Sequence, residues 1–354
     1  MASVLPVVGS VVSVWRYPVK SMIGEELNAT EVAEQETCWE IRENRKILWV
    51  SGKTQMLDLE RILKQDRLLR AMTGLNRKAF DALLPSFAQA YGQSLANPER
   101  IRKRAPGGGR KATLQTLEAK LFYSLFYCKC YPTFDLASIL LEFDRSQAHE
   151  WTHRLLPVLE TALGQKLALP ERKLRSIDEF IERFPQVKRV MIDGTERPIQ
   201  RPKNHERQKE NYSGKKRRPT RKHLAAVDET KRVLVLSKAR EGKVHDKRLL
   251  DEEELAATIP DPVPIEVDLG FQGLQNEYVN IRIGHKKPRG GQLTETHKAE
   301  NKALSRERVL CENAFAGVKR YNAVATIYRN RVSDFDDRLM LIAAGLWNFY
   351  LDAA

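Results

Sequence analysis

Three acidic residues, Asp193, Asp268 and Glu312, have the spacing and context of a metal-binding set. Each aspartate follows a short apolar run, which predicts a strand that ends at the carboxylate. Glu312 lies in a run whose period predicts a helix over 305–321. Carboxylates on rigid elements are ligands that Mg²⁺ or Mn²⁺ prefers, although an exposed acid is the ordinary interpretation of each one alone. Two such ions can activate a water or a 3′-hydroxyl and stabilise the leaving oxygen of a phosphodiester.

The predicted helix over 305–321 also carries two basic side chains near Glu312. Arg308 precedes Glu312 by four positions, and Lys319 follows it by seven. Residues at these spacings share one face of a helix. One face of this predicted helix therefore carries Glu312 between Arg308 and Lys319.

The elements that would position these side chains alternate in type. The sequence predicts strands at 187–193, 223–229, 232–237 and 265–268, and helices at 247–257, 305–321 and 333–350. Strands that alternate with helices indicate an α/β layered fold. We predict this catalytic domain over residues 187–354, after a linker at 166–186.

A helical domain is predicted before it, over residues 56–165. Asn76 is a candidate N-cap for a helix over 77–91, and another helix is expected at 113–129. Residues 133–156 have a helix-turn-helix pattern, in which Asp144 and Gln147 match a capping box. The polar residues expected to face outward from its second helix, and to be able to enter a DNA major groove, are Arg145, Gln147, His149, Thr152, His153 and Arg154. An ordinary helical bundle explains the pattern equally well.

The net charge of +14 and a pI of about 9.6 favour a polyanionic partner. Basic residues are concentrated in three segments that we predict to be phosphate-binding loops. The first, 102–111, contains Arg102, Lys103 and Arg104. The second, 201–223, contains Lys215, Lys216, Arg217 and Arg218. The third, 285–291, contains Lys286 and Lys287.

Five motifs in order give the chain a specific resemblance. They are Asp193-Gly-Thr, Tyr212-Ser-Gly-Lys-Lys, Gly242-x-x-His-Asp, Asp268-x-Gly-Phe-x-Gly and Arg308-x3-Glu312-x6-Lys319. Over about residues 60–350 the chain resembles bacterial insertion-sequence transposases of the DDE class, in a Harbinger-related subgroup. Ser305 stands where that family has a tyrosine.

The resemblance implies an RNase H-like catalytic core in which Asp193, Asp268 and Glu312 hold two divalent ions, Mg²⁺ or Mn²⁺. It implies that Arg308 and Lys319 contact DNA phosphate or the terminal base. The expected substrates are double-stranded DNA at the inverted repeats of the element and target DNA, bound by a homo-oligomer in a synaptic complex. The implied activity is cleavage followed by strand transfer. The alternatives are a catalytically silent, repressor-like DNA-binding protein and a metal-dependent nuclease without strand transfer.

The first 55 residues differ in character from the rest of the chain. Residues 1–60 hold six basic and nine acidic residues, and this change of charge indicates a boundary near residue 55. Residues 8–35 resemble the opening of MOSC-domain proteins but are too few to close the β-barrel of that family. We interpret residues 1–55 as a fusion remnant, with a dedicated N-terminal arm as the alternative.

Four cysteines occur, at 38, 128, 130 and 311, and their spacing does not match zinc or redox motifs. The longest apolar run, Leu339–Trp347, is too short to span a membrane. We therefore expect reduced thiols, no membrane partner and a cytoplasmic, nucleoid-associated protein.

Overall fold

The computed structural model describes residues 57–96 and 112–353, together with two short strands nearer the N-terminus. The chain divides into two compact units, Met1–Thr54 and Gln55–Ala354. In the first unit, β1 (Trp15–Arg16) pairs antiparallel with β2 (Glu25–Glu26). The rest of the MOSC-like segment lies outside the described residues, as does the basic segment 102–111 with Arg102, Lys103 and Arg104.

The second unit begins with six helices. They are α1 (Leu59–Lys64), α2 (Asp66–Thr73), α3 (Arg77–Leu95), α4 (Leu117–Cys130), α5 (Phe134–Leu141) and α6 (Arg145–Gln165). The prediction for α3 is confirmed, since Asn76 accepts a hydrogen bond from the amide of Ala79. Helix α4 is buried along Ala119–Cys128, because the other helices surround it. It is the central helix of this part of the fold.

The helix-turn-helix segment forms the helix pair α5–α6, with two corrections to its expected contacts. Asp144 is the N-cap of α6, but its side chain makes no capping hydrogen bond, so the capping box does not form. Thr152 was expected to face outward but is buried, where it hydrogen-bonds to Tyr123 and to the carbonyl of Ala148. His153 is half-buried against Phe335. The longest exposed stretches of α6 therefore lie in its first two turns.

A seven-stranded mixed sheet follows these six helices in the second unit, together with further helices. Its strands are β3 (Val190–Pro198), β4 (Tyr212–Ser213), β5 (Arg218–Asp228), β6 (Val233–Leu236), β7 (Arg240–Glu241), β8 (Ile265–Val267) and β9 (Ile281–Ile283). The main order is β4-β5-β3-β8-β9, and β6 and β7 also pair with β5. Strand β3 runs antiparallel to β5 and parallel to β8. The α/β layering expected from the sequence is confirmed.

The remaining helices are α7 (Ile177–Arg183), α8 (His205–Asn211), α9 (Asp246–Glu253), α10 (Glu295–Lys319), α11 (Asn322–Ala325) and α12 (Phe335–Ala353). Helix α7 lies inside the expected linker, and that segment also contacts the sheet through a bridge between Glu171 and Val235. The expectation of a single loop over 201–223 is wrong. That segment contains α8, the β4–β5 hairpin and the start of β5, because the backbone groups of its basic residues pair within the sheet.

Side chains alternate between the two faces of the sheet, and each face has its own core. On one face Val190 and Ile192 pack with Ile265 and Val267. On the other, Met191 belongs to a cluster that continues through α12 into the helices of residues 57–165. The helical part and this face of the sheet therefore share one core. Across the described residues, no helix has the length and apolar character needed to cross a membrane.

Candidate active site

The register of two parallel strands places Asp193 beside Asp268. Val190, Met191 and Ile192 of β3 pair in order with Ile265, Glu266 and Val267 of β8. The next residues along each strand are Asp193 and Asp268, and neighbouring strands lie about 4.8 Å apart. Asp268 follows the end of β8, as expected, and its side chain caps the short turn at Leu269–Phe271. The two carboxyl groups therefore lie on the same face of the sheet, close enough to interact electrostatically where β8 ends.

The expectation that β3 ends at Asp193 is wrong, because the strand continues to Pro198. Antiparallel pairing with β5 runs without a break from Val190↔Asp228 to Pro198↔Thr220. Pairing with β5 keeps the Gly194-Thr195 segment extended. Without this pairing, an Asp-Gly-Thr sequence would be expected to form a turn. Asp193 is consequently held on both sides, by Ala225 of β5 and by the strand that leads to Asp268.

Asp193 has one negatively charged neighbour and several positively charged ones. Burial and the negative charge of Asp268 raise the pKa of Asp193. The amide of Gly194 donates a hydrogen bond of 2.7 Å to Oδ1 of Asp193, and an Arg308 guanidinium nitrogen lies 3.7 Å from Oδ2. Lys215 also attracts the carboxylate. A divalent cation would relieve the repulsion between the two aspartates, so this pair fits such an ion.

Helix α10 brings two of its basic side chains toward Asp193. Arg308 makes the ion pair just described, and Lys319 interacts electrostatically with Asp193. Burial and the charges of Lys216 lower the pKa of Lys319, whose ammonium lies 5.7 Å from the centre of the Phe315 ring. The hairpin turn between β4 and β5 supplies Lys215 and Lys216. Three cationic side chains, Arg308, Lys319 and Lys215, thus act electrostatically on the Asp193 carboxylate.

Glu312 lies on the same helix but apart from the two aspartates. Its side chain is exposed and makes no hydrogen bond or ion pair with any part of the chain that the structure describes. Over residues 57–96 and 112–353, no three acidic, cysteine or histidine side chains are arranged closely enough to hold a metal ion. Cys311, next to Glu312, is buried near Asp193, and burial raises the pKa of its thiol to about 12. A third carboxylate ligand would require the Glu312 side chain to turn toward the aspartates.

The other basic residues singled out in the sequence lie on the surface of the described part of the chain. Arg217 and Arg218 are exposed in the β4–β5 hairpin, and Lys286 and Lys287 are exposed after β9. Arg145 and Gln147 lie on the first turn of α6, where Arg145 is 3.2 Å from Asp135. Arg154 instead lies over the rings of Tyr91 and Trp151, so it is held on the helical part of the fold.

Two charged clusters beside the aspartates were not identified from the sequence. Arg189 bridges Glu266 of β8 and Glu307 of α10, at 3.5 and 3.1 Å. Burial and the contact with Glu307 raise the pKa of Glu266 to about 7. Lys222 forms the second cluster, with Glu196 and Asp246. A charged residue inside an otherwise apolar strand, as in Ile265-Glu266-Val267, was the available signal for the first.

Comparison with known proteins agrees with this geometry. Residues 192–348 match the family described as DDE superfamily endonuclease. The chain is 26% identical over 286 residues to the probable transposase for insertion sequence element IS702 of Microchaete diplosiphon, an alignment that covers 80% of this chain and 95% of that protein. No solved structure matches the chain. Residues 192–348 are therefore similar to DDE superfamily endonucleases, and most of the chain is similar to an insertion-sequence transposase.

Proposed function

We propose that this protein is a metal-dependent DNA transposase, which cleaves phosphodiester bonds at the ends of an insertion sequence and joins the 3′ end to target DNA. The observation that carries the proposal is the parallel register that sets Asp193 beside Asp268 within reach of Arg308 and Lys215. The similarity to an insertion-sequence transposase along most of the chain supports it. The fold proposed for residues 187–354 is RNase H-like.

In this proposal Asp193 and Asp268 hold divalent ions, Mg²⁺ or Mn²⁺, and Glu312 turns to complete the ligand set. Such ions lower the pKa of an attacking water or 3′-hydroxyl and stabilise the leaving oxygen when they are bound. Arg308, Lys319 and the Lys215–Lys216 turn bind the phosphates on either side of the scissile bond. The strands and α10 hold these groups in place, so the contribution of the protein is orientation and charge stabilisation.

The test is an assay of cutting and joining on labelled duplex DNA that carries the sequence flanking this gene, with Mg²⁺ or Mn²⁺ added. We expect Asp193→Asn and Asp268→Asn to lower the cleavage rate by on the order of a thousandfold, because loss of a metal ligand removes several kcal/mol of transition-state stabilisation. Asp261→Asn is the matched control, since Asp261 is exposed and outside the sheet edge.

The products separate this proposal from its alternatives. A transposase nicks the duplex and joins its 3′ end to a second DNA. A nuclease nicks but forms no joined product, and a repressor-like protein shifts the duplex without nicking it. Undiminished cleavage by Asp193→Asn would show that the active site lies elsewhere.

A further inference from the structure

A buried lysine lies on the face of the sheet opposite to Asp193. Lys222 of β5 is 6% exposed and pairs in register with Glu196 of β3. Its ammonium donates to the carbonyl of Val244 at 2.7 Å, and it lies 2.8 Å from Oδ1 of Asp246 and 3.6 Å from Oε1 of Glu196. A buried ammonium is costly unless carboxylates and hydrogen-bond acceptors surround it, and here they do.

The Gly242-x-x-His-Asp motif supplies two of these contacts. Gly242 can approach β5 because it has no side chain: a β-carbon there would lie 2.9 Å from the carbonyl oxygen of Thr220. Its amide donates to the carbonyl of Thr220. His245 then caps helix α9, which begins with Asp246. The motif thus leads the chain from β7 into α9 and places the carbonyl of Val244 and the carboxylate of Asp246 at Lys222.

Asp246 also packs against the backbone next to Asp193. A β-carbon added to Gly194 would lie 2.8 Å from Oδ1 of Asp246 and 3.1 Å from its Cγ, so the aspartate occupies the space below that peptide. The amide of the same Gly194 donates to Oδ1 of Asp193. One connected path therefore runs from Lys222 through Asp246 and Gly194 to the carboxylate of Asp193.

The composition of this cluster favours a positioning role over a purely stabilising one. Two largely buried carboxylates share one ammonium. An apolar replacement of a buried ion pair is often as stable or more stable. A residue that orients a metal ligand through its neighbour, however, changes metal affinity by roughly 10–100-fold when it is removed.

We propose that Asp246, held by Lys222, is a positioning residue that fixes the Gly194 peptide so that the carboxylate of Asp193 meets Asp268 at the divalent ion. This inference rests on the proposed function, because it presumes that Asp193 is a metal ligand. It also assigns a role to the Gly242–Asp246 motif, which is separate in sequence from Asp193 and Asp268.

The test measures Mn²⁺ binding to the full chain by electron paramagnetic resonance, with thermal unfolding of each variant alongside. We expect Asp246→Ala to weaken Mn²⁺ binding roughly 10–100-fold. Asp246→Asn keeps the shape and an oxygen acceptor for Lys222, so it should retain most of the affinity. The matched control is Asp228→Ala, which removes a buried carboxylate at the end of β5, three residues beyond Ala225, the register partner of Asp193.

A second variant pair tests the path itself without removing a charge. Gly194→Ala places a methyl group against Asp246 and should weaken Mn²⁺ binding, whereas Gly92→Ala, where the new methyl meets open space, should not. In the double variant Gly194→Ala/Asp246→Ala the methyl group has room. Its affinity should equal that of Asp246→Ala alone instead of showing the two losses combined.

The results separate this inference from the proposed function. If Asp193→Ala leaves Mn²⁺ binding unchanged, the metal site itself is wrong, and both proposals fall. If Asp193→Ala abolishes binding but Asp246→Ala and Gly194→Ala bind as the parent does, only the positioning role is overturned. An equal loss in Asp228→Ala would show general loosening of the sheet and would also overturn it.

Discussion

His223 lies on the same face of the sheet as Asp193 and contacts a charged residue from a distant part of the chain. His223 lies opposite Thr195 in the β3–β5 register and is fully buried. Its Nε2 is 3.2 Å from Oδ1 of Asp337, which also accepts hydrogen bonds from Arg172. Burial outweighs this partner and lowers the pKa of His223. The imidazole is therefore neutral in the fold at neutral pH.

This shift predicts a specific dependence of stability on pH. Below about pH 6.5 an unfolded chain protonates His223 but the folded chain does not, so stability falls as the pH drops from there toward the lower folded pKa. We expect His223→Asn to reduce that slope by up to about 1.4 kcal/mol per pH unit. Urea unfolding at a series of pH values between 7 and 5 measures it.

Exposed His205 provides the comparison for this prediction, since His205→Asn should leave the slope as it is. A His223→Asn protein whose stability falls with acid as steeply as that of the parent would contradict the assignment.

Some of the site could be predicted from residues alone, and some could not. Asp268 after an apolar run was predictable, because both the strand and the turn that ends it are local. The continuation of β3 past Asp193 depends on pairing with β5, some 30 residues away, and Gly194 is tolerated in the strand because Asp246 fills the space beneath it. Such contacts have no local signature.

At the scale of elements, α6 combines a buried helix with an exposed tip. Its length packs against α3 and α12, while Arg145, Ser146 and His149 are exposed near its N-terminus. The amphipathic period predicted the helix correctly. It placed Thr152 on the outside because α4, which covers it, cannot be located from the sequence of α6.

If the tip of α6 reads base pairs, then Arg145→Ala and Gln147→Ala should weaken discrimination between the element end and unrelated DNA. Each lost base contact is worth about 1–3 kcal/mol, and binding to unrelated DNA should change little. Competition binding with the two duplexes measures the ratio.

Lys166→Ala, at the opposite end of the same helix, is the control for the α6 variants. If both tip variants discriminate as well as the parent does, α5–α6 is an ordinary helix pair and the bases are read elsewhere.

At the scale of the whole molecule, the net charge of +14 includes three basic side chains that act on Asp193. Lys215 comes from the β4–β5 hairpin, and Arg308 and Lys319 come from α10, which is distant from that hairpin in sequence. Composition predicted a polyanionic partner, and the folded sheet brings Lys215 of the segment 201–223 to Asp193.

Binding to DNA should therefore weaken with salt in a way that these residues control. Replacing Lys215 and Lys216 by alanine should lower the slope of log K against log salt by about 2, and equally for any DNA sequence, because about one counterion is released for each phosphate contact. Fluorescence anisotropy at several salt concentrations measures the slope.

Replacing Lys64 and Lys78 removes the same charge from exposed positions on α1 and α3 and should leave the slope of the parent. Equal slopes in the two double variants would place the phosphates away from the β4–β5 hairpin.

One hydrophobic cluster contains residues of α6, such as Ala148 and Trp151, together with Met191 of β3, so the described helices and the sheet share a core. If this shared core holds them rigidly, the tip of α6 and Asp193 keep a constant separation along any DNA that touches both. The protein would then set the distance along the DNA between the recognised sequence and the cleaved bond. The number of base pairs between the sequence recognised and the bond cut would be a property of the protein, and DNA lengthened between those points would have to bend, or the cut would move with the protein.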